Sequence, residues 1–171
     1  DQGSESLDEI FTISVADIIE YTLTINTTGN GNVVKNPDQA TYPAGTSVDL
    51  TANADVGWMF SDWSGDLVST NNPETITMDG DKTIAATFTA IEYTLTVTSD
   101  HGTVTKNPNL PTYHYHDIVA LTAVPDAGWS FTDWSGDVTG TNNPIFITID
   151  GDNSVTANYT AITYTISGNT G

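Results

Sequence analysis

Apolar and polar residues alternate along most of the chain. Tyr21, Leu23 and Ile25 fall on one side, as do Val48, Leu50 and Ala52, then Trp58 and Phe60, Ile76 and Met78, and Ile84, Ala86 and Phe88. A period of two sends successive side chains to opposite faces of an extended backbone, so each run predicts a half-buried strand. Between the runs stand "TGNG", "NPDQ", "NADVG", "SGD", "NNP" and "MDGDK", which carry the Gly, Pro, Asn and Asp that turns require. No run shows the three-and-four spacing of a long amphipathic helix. The expectation is an all-β protein.

The pattern is written twice. "YTLT" at Tyr21 returns at Tyr93, "KNP" at Lys35 returns at Lys106, "DWSGD" at Asp62 returns at Asp133, and "DGD" at Asp79 returns at Asp150. The spacing is constant for the last three and one residue longer for the first, the extra residue falling in "NTTGNG". A unit that recurs in fixed order predicts tandem modules. It divides the chain into an acidic tail with an orphan strand (1–17), a first module (18–90), a second module (91–161) and a C-terminal orphan strand (162–171). The orphans come from the same comparison. "ITYTISGNTG" matches a module's opening strand, and "FTISVADIIEY" matches a closing strand, with Phe11, Ile13 and Val15 standing for Ile84, Ala86 and Phe88. Each module is expected to be a small antiparallel β unit, sandwich-like or grasp-like, with the extra strands at the chain's ends.

Charge narrows the partners. Against 22 acidic residues stand 3 basic ones, a formal net charge of −19. Like charges repel and no counterions would be released on contact, so nucleic acid and anionic membranes are excluded as partners. No stretch is long and apolar enough to insert in a bilayer. The opening "DQGSESLDE" has neither the basic start nor the apolar middle of a secretory signal, which reads as a soluble or already processed chain. An acidic surface suits salty, open surroundings in which self-repulsion is screened. The expected location is extracellular or on the cell surface, after loss of a targeting segment not present here. With no cysteine, disulfides, thiolate metal sites and cysteine nucleophiles are ruled out.

The motif order resembles a known family. "GWMFSDWSGDLVSTNNPETITMDGDKTIAATF" and "GWSFTDWSGDVTGTNNPIFITIDGDNSVTANY", with the preceding "YTLT", "KNP" and "TYPAGTSVDLTA", are similar to the divergent internalin B-repeat family of bacterial and archaeal surface proteins. The likeness runs from about Ile19 to Ala161. It implies small all-β or β-grasp-like modules strung in tandem on exported proteins as spacer, stalk or adhesive array, with no catalytic residues to carry over. The second copy departs from the pattern where "TYHYHDIVALTA" replaces "TYPAGTSVDLTA", which singles out that local turn.

Several residues invite chemistry. Alternation puts Trp63 on the face opposite Trp58 and Phe60 unless a bulge intervenes, and the same holds for Trp134 against Trp129 and Phe131. Exposed, such a ring beside carboxylates would stack on surface glycans; buried, all six aromatics belong to module cores. The acids Asp62, Asp66, Asp79 and Asp81, with Asp133, Asp137, Asp150 and Asp152, are candidate calcium ligands, or turn residues that need no metal. His114 and His116, placed on one face of a strand, would offer two imidazoles to Zn²⁺ or Cu²⁺. Asn26 and Asn158 open glycosylation triplets. Acid pairs also raise glycoside hydrolysis, but their duplication in turn-like settings argues against a single catalytic cleft, and no enzyme is expected.

An alternating strand cut off from its sheet leaves apolar side chains and amides unpaired. Ile162, Tyr164 and Ile166 of one copy are therefore expected to pair with a neighbour near its Phe11, Ile13 and Val15. That contact is heterologous and builds a head-to-tail filament or surface layer. The alternative is a spacer or carbohydrate-binding adhesin segment of a longer surface protein.

Overall fold

A computed structural model of the chain describes residues 18–166 and 168. The alternating runs form strands, and among the described residues there is no helix. The first module holds β1 (Glu20–Tyr21), β2 (Leu23–Thr28), β3 (Gly31–Asn36), β4 (Tyr42–Pro43), β5 (Ser47–Ala54), β6 (Trp58–Gly65), β7 (Glu74–Thr77) and β8 (Lys82–Ala90). The second repeats them as β9 (Leu95–Ser99), β10 (Gly102–Asn107), β11 (Ile118–Pro125), β12 (Trp129–Gly136), β13 (Ile145–Thr148) and β14 (Asn153–Ala161). There a Tyr93–Tyr113 bridge stands in for the β1–β4 pair.

Each module is two three-stranded sheets, ordered β2-β8-β6 and β3-β5-β7 in the first, β9-β14-β12 and β10-β11-β13 in the second. Their inner faces meet over the residues that alternation selected. Val48, Leu50, Ile84, Ala86 and Met78 are fully buried in the first core, and Val119, Leu121, Val155 and Ile149 in the second. Burying a Val, Leu, Ile or Met side chain contributes roughly 1.5–3 kcal/mol, which a small disulfide-free unit cannot do without. Tyr42 and Tyr113 are also sealed in. Their hydroxyls donate to the carbonyls of Pro37 and Pro108, and the ammonium groups of Lys35 and Lys106 lie over their rings at 5.8 and 5.7 Å.

One pairing departs from the antiparallel expectation. β2 runs parallel to β8, with Leu23 opposite Lys82 and Thr28 opposite Thr87, and β9 runs parallel to β14, with Leu95 opposite Asn153. Parallel neighbours need a long connection, which the rest of the module supplies. The last strand is therefore the middle of its sheet, with the first strand on one side and β6 or β12, antiparallel, on the other.

Candidate functional site: the tryptophan loop and the module junction

The repeated tryptophan is a structural plug. A bulge between Phe60 and Asp62 shifts the β6 register by one, and a matching bulge lies between Phe131 and Asp133. An extra residue reverses which face the following side chains take. Trp63 and Trp134 consequently turn inward and are 1% exposed, so the exposed sugar-stacking role does not fall to them. Each packs tilted against Phe60 or Phe131, with ring centroids 5.0 and 5.1 Å apart. The half-buried members of each pair are Trp58 and Trp129.

The loop ending in Asn-Asn-Pro answers the polar demands of that ring. The Trp63 indole N–H donates to the Asn71 carbonyl at 2.9 Å, and Trp134 does the same to Asn142. The next asparagine acts like a missing strand. Asn72 accepts from the Ala52 N–H and donates to the Ala52 carbonyl at 2.9 and 2.7 Å, and Asn143 pairs with Ala123 in the same way. Each bond adds roughly 0.5–1.5 kcal/mol, and its loss would strand a buried polar group.

The acids bond to their own modules. Asp81 accepts from both the N–H and the hydroxyl of Thr22, at 2.7 and 2.9 Å, and Asp152 accepts from Thr94 at 2.8 and 3.0 Å. Those bonds, main-chain first, hold both carboxyls below the usual aspartate range. Asp66 and Asp137 accept from the N–H groups of Thr83 and Ser154. Asp62 bonds Ser61 and Asp133 bonds Asn158. Asp79 pairs with the Lys82 ammonium, which lowers its pKa, and Asp150 accepts from Asn153. Among the described residues no three His, Cys, Asp or Glu side chains gather as a metal-holding group, so the eight candidate calcium ligands do not share one site.

The histidines are not two ligands on a strand. Residues 114–117 form a turn in which His116 has φ 68°, the left-handed region occupied by Gly45 (φ 85°) in the first copy. The His116 ring stacks on Tyr115 at 4.0 Å, and Asp117 accepts from the backbone N–H of His114. Of the glycosylation candidates, Asn26 is exposed on β2. The Asn158 amide nitrogen donates to Asp133 and Ser135 at 2.6 and 3.0 Å, bonds that a glycan there would have to break.

At the chain's ends, Phe11, Ile13 and Val15 lie outside the described residues. The N–H of Ile162 donates to the Gly128 carbonyl at 2.7 Å, as that of Ile91 does to Gly57 at 2.8 Å. Beyond it Tyr164 is 81% and Ile166 94% exposed, although Leu95, the counterpart of Ile166 in the second module, is 6% exposed.

The tyrosine of that rewritten turn marks the junction between modules. Asn30, Val56, Gly57, Trp58 and Ala90 of the first module and His114 and Tyr115 of the second line a cleft of about 490 Å³. Gly57 is buried there, and a Cβ on it would sit 2.4 Å from the Tyr115 Cβ. Its counterpart Gly128 is exposed, with nothing within 4 Å of such a Cβ. Sequence reading did not single out Gly57 and Tyr115. The replacement of "PAGT" by "HYHD" was the signal for them.

A cysteine-free β unit, present twice and with its polar loop groups bonded to its own strands, defines a tandem structural repeat. The chain matches the family model described as "Divergent InlB B-repeat domain" over residues 21–92 and again over 93–163, and it belongs to that family, which is typical of surface proteins. No curated protein and no solved structure matches it.

Proposed function

We propose that the chain is a non-catalytic spacer of an extracellular or cell-surface protein, in which β modules in series set the distance between other parts. One observation carries this reading. The side chains that looked chemical recur in both modules bonded within their own module, as in the Trp63–Asn71 and Trp134–Asn142 pairs. The test is modular. Inserting a further copy of residues 93–163 after Thr163 should lengthen the particle in small-angle scattering by one module. A longer chain that becomes no longer in solution argues against a spacer. Labelling intact host cells with an antibody to the modules tests the location.

A second reading takes up the residues that follow the second module. Tyr164 and Ile166 are exposed where the corresponding Tyr93 is bridged to Tyr113 and Leu95 is buried. In this reading the strand is donated to another copy, pairing parallel with its Phe11–Val15 segment as β2 pairs with β8, and copies join head to tail into a filament. Light scattering and electron microscopy decide it. Polymers that disappear on removing residues 162–171 support donation, and monomers at all concentrations end it.

A further inference from the structure

The parallel pairing of first and last strands has a mechanical meaning. The chain enters each module by the short β1–β4 pair, or by the Tyr93–Tyr113 bridge in the second, runs on into β2 or β9 and leaves at the end of β8 or β14, and β2 with β8, like β9 with β14, are hydrogen-bonded side by side in the same direction. Tension drawn along the chain therefore pulls β2 backward and β8 forward. The strands are asked to slide past one another, and the ladder from Leu23–Lys82 to Thr28–Thr87 is loaded all at once. An antiparallel hairpin pulled from its open end gives way one rung at a time.

Three further features oppose sliding. At the point where load reaches β2, Thr22 is tied across the pair by the Asp81 carboxylate and by the Lys82 N–H, which donates to the Thr22 carbonyl at 2.9 Å. The second module repeats this latch with Thr94, Asp152 and the Asn153 N–H, also at 2.9 Å. β8 is gripped on its far side by β6 over the register from Trp58–Ala90 to Gly65–Ile84. Leu23, Ile84, Ala86 and Phe88 are all buried, so a slip of one residue would turn core side chains to water.

We propose that each module is a shear-loaded clamp and that the chain bears tension between its two ends. The biological setting rests on the spacer reading; the mechanical property rests on strand geometry alone. Resistance to force is governed by the unfolding rate along the pulling direction, so it is separable from equilibrium stability.

The experiment is single-molecule force spectroscopy on the full chain, pulled in two geometries. Handles at the termini load the clamps in shear. The protein has no cysteine, so the pair Asn32→Cys and Asn53→Cys gives unique thiol handles on two exposed, directly opposed residues beside the open end of the β3–β5 ladder, which opens rung by rung. End-to-end pulling is expected to show two unfolding events at several-fold higher force than the hairpin geometry. Asp81→Ala with Asp152→Ala should lower the end-to-end force while leaving the hairpin force unchanged. Equal forces in the two geometries, or the same fractional loss in both for the aspartate variants, would overturn the clamp and leave the spacer reading to its own scattering test.

Discussion

The junction predicts that two equivalent glycines will answer differently to one substitution. Gly57 and Gly128 share a left-handed backbone, φ 81° and 85°, and alanine in that region costs about 1–2 kcal/mol. Gly128→Ala should cost no more than this, because its Cβ meets open space. Gly57→Ala pays the same backbone term and also drives a methyl to within 2.4 Å of the Tyr115 Cβ. The clash is relieved when the second module's turn swings away, so the excess cannot exceed the worth of the junction. An aromatic side chain buries about 150–250 Å² when fully enclosed. Tyr115 is half-buried, and half that area at about 25 cal/mol per Å² sets a ceiling near 2–3 kcal/mol. Urea unfolding gives the stability of each variant, and NMR relaxation reports whether the modules tumble together. The wild type and Gly128→Ala should tumble as one body, and Gly57→Ala as two. Only glycine at position 115 removes the offending atoms, so in a Tyr115→Gly background Gly57→Ala should cost no more than Gly128→Ala. Equal losses for the two glycines in the wild-type background, with unchanged tumbling, would refute the junction.

Other differences between the copies yield predictions of the same kind. His116→Gly relieves a non-glycine left-handed residue and should raise the second module's stability by about 1 kcal/mol, measured by calorimetry. Asn153 is buried with its Oδ1 unpartnered where the first copy has Lys82 paired to Asp79; Asn153→Lys should gain about 1 kcal/mol, and a loss in urea unfolding would contradict this account. The carboxyls of Glu74, Asp79, Asp81 and Asp152 have folded-state pKa values lowered by hydrogen bonds or by Lys82. Their contribution is complete above the unfolded value of about 4 and is lost as pH falls through the lower folded values. The urea midpoint should hold above about pH 5 and drop below about pH 4, and Asp81→Asn with Asp152→Asn should flatten the drop.

Much of the architecture was legible because alternation reports which face a residue takes. Val48, Leu50 and Ala52 were placed together and are buried together. Alternation does not report which strand lies alongside, so the parallel β2–β8 contact was hidden, although Leu23 and Ile84 were each assigned to an inner face. A bulge hides for a related reason. One unpaired residue between Phe60 and Asp62 inverts every later face, and nothing in "FSDWSG" announces it beyond the conflict of a tryptophan pointing to water. Turn chemistry was read for "MDGD", but the partner of its second aspartate, Thr22, lies 59 residues away and depends on that same hidden pairing.

Lys82 and Asn153 apart, the two copies agree in the bonds that hold a module together and differ where it meets a neighbour. Trp63 and Trp134, Asn72 and Asn143, and Asp81 and Asp152 keep the same partners at nearly the same distances. By contrast, Ala44 is replaced by Tyr115, Gly45 by His116 and Asn30 by His101, all in turns at module ends. The last change is informative about the second module's far end. Trp58 shares its cleft with Tyr115 of the next module, and its counterpart at the second module's far end is Trp129. There the His101 imidazole lies flat on the indole, 3.5 Å between centroids and 5° from parallel. The chain thus covers with its own side chain the aromatic surface that, one module earlier, faces the next module. A neighbour docking at this end with a turn like "HYHD" would have to displace that stack. A neighbour taking up only the segment from Ile162 to Ile166 would not, and that separates side-by-side docking from strand donation at the same end of the molecule.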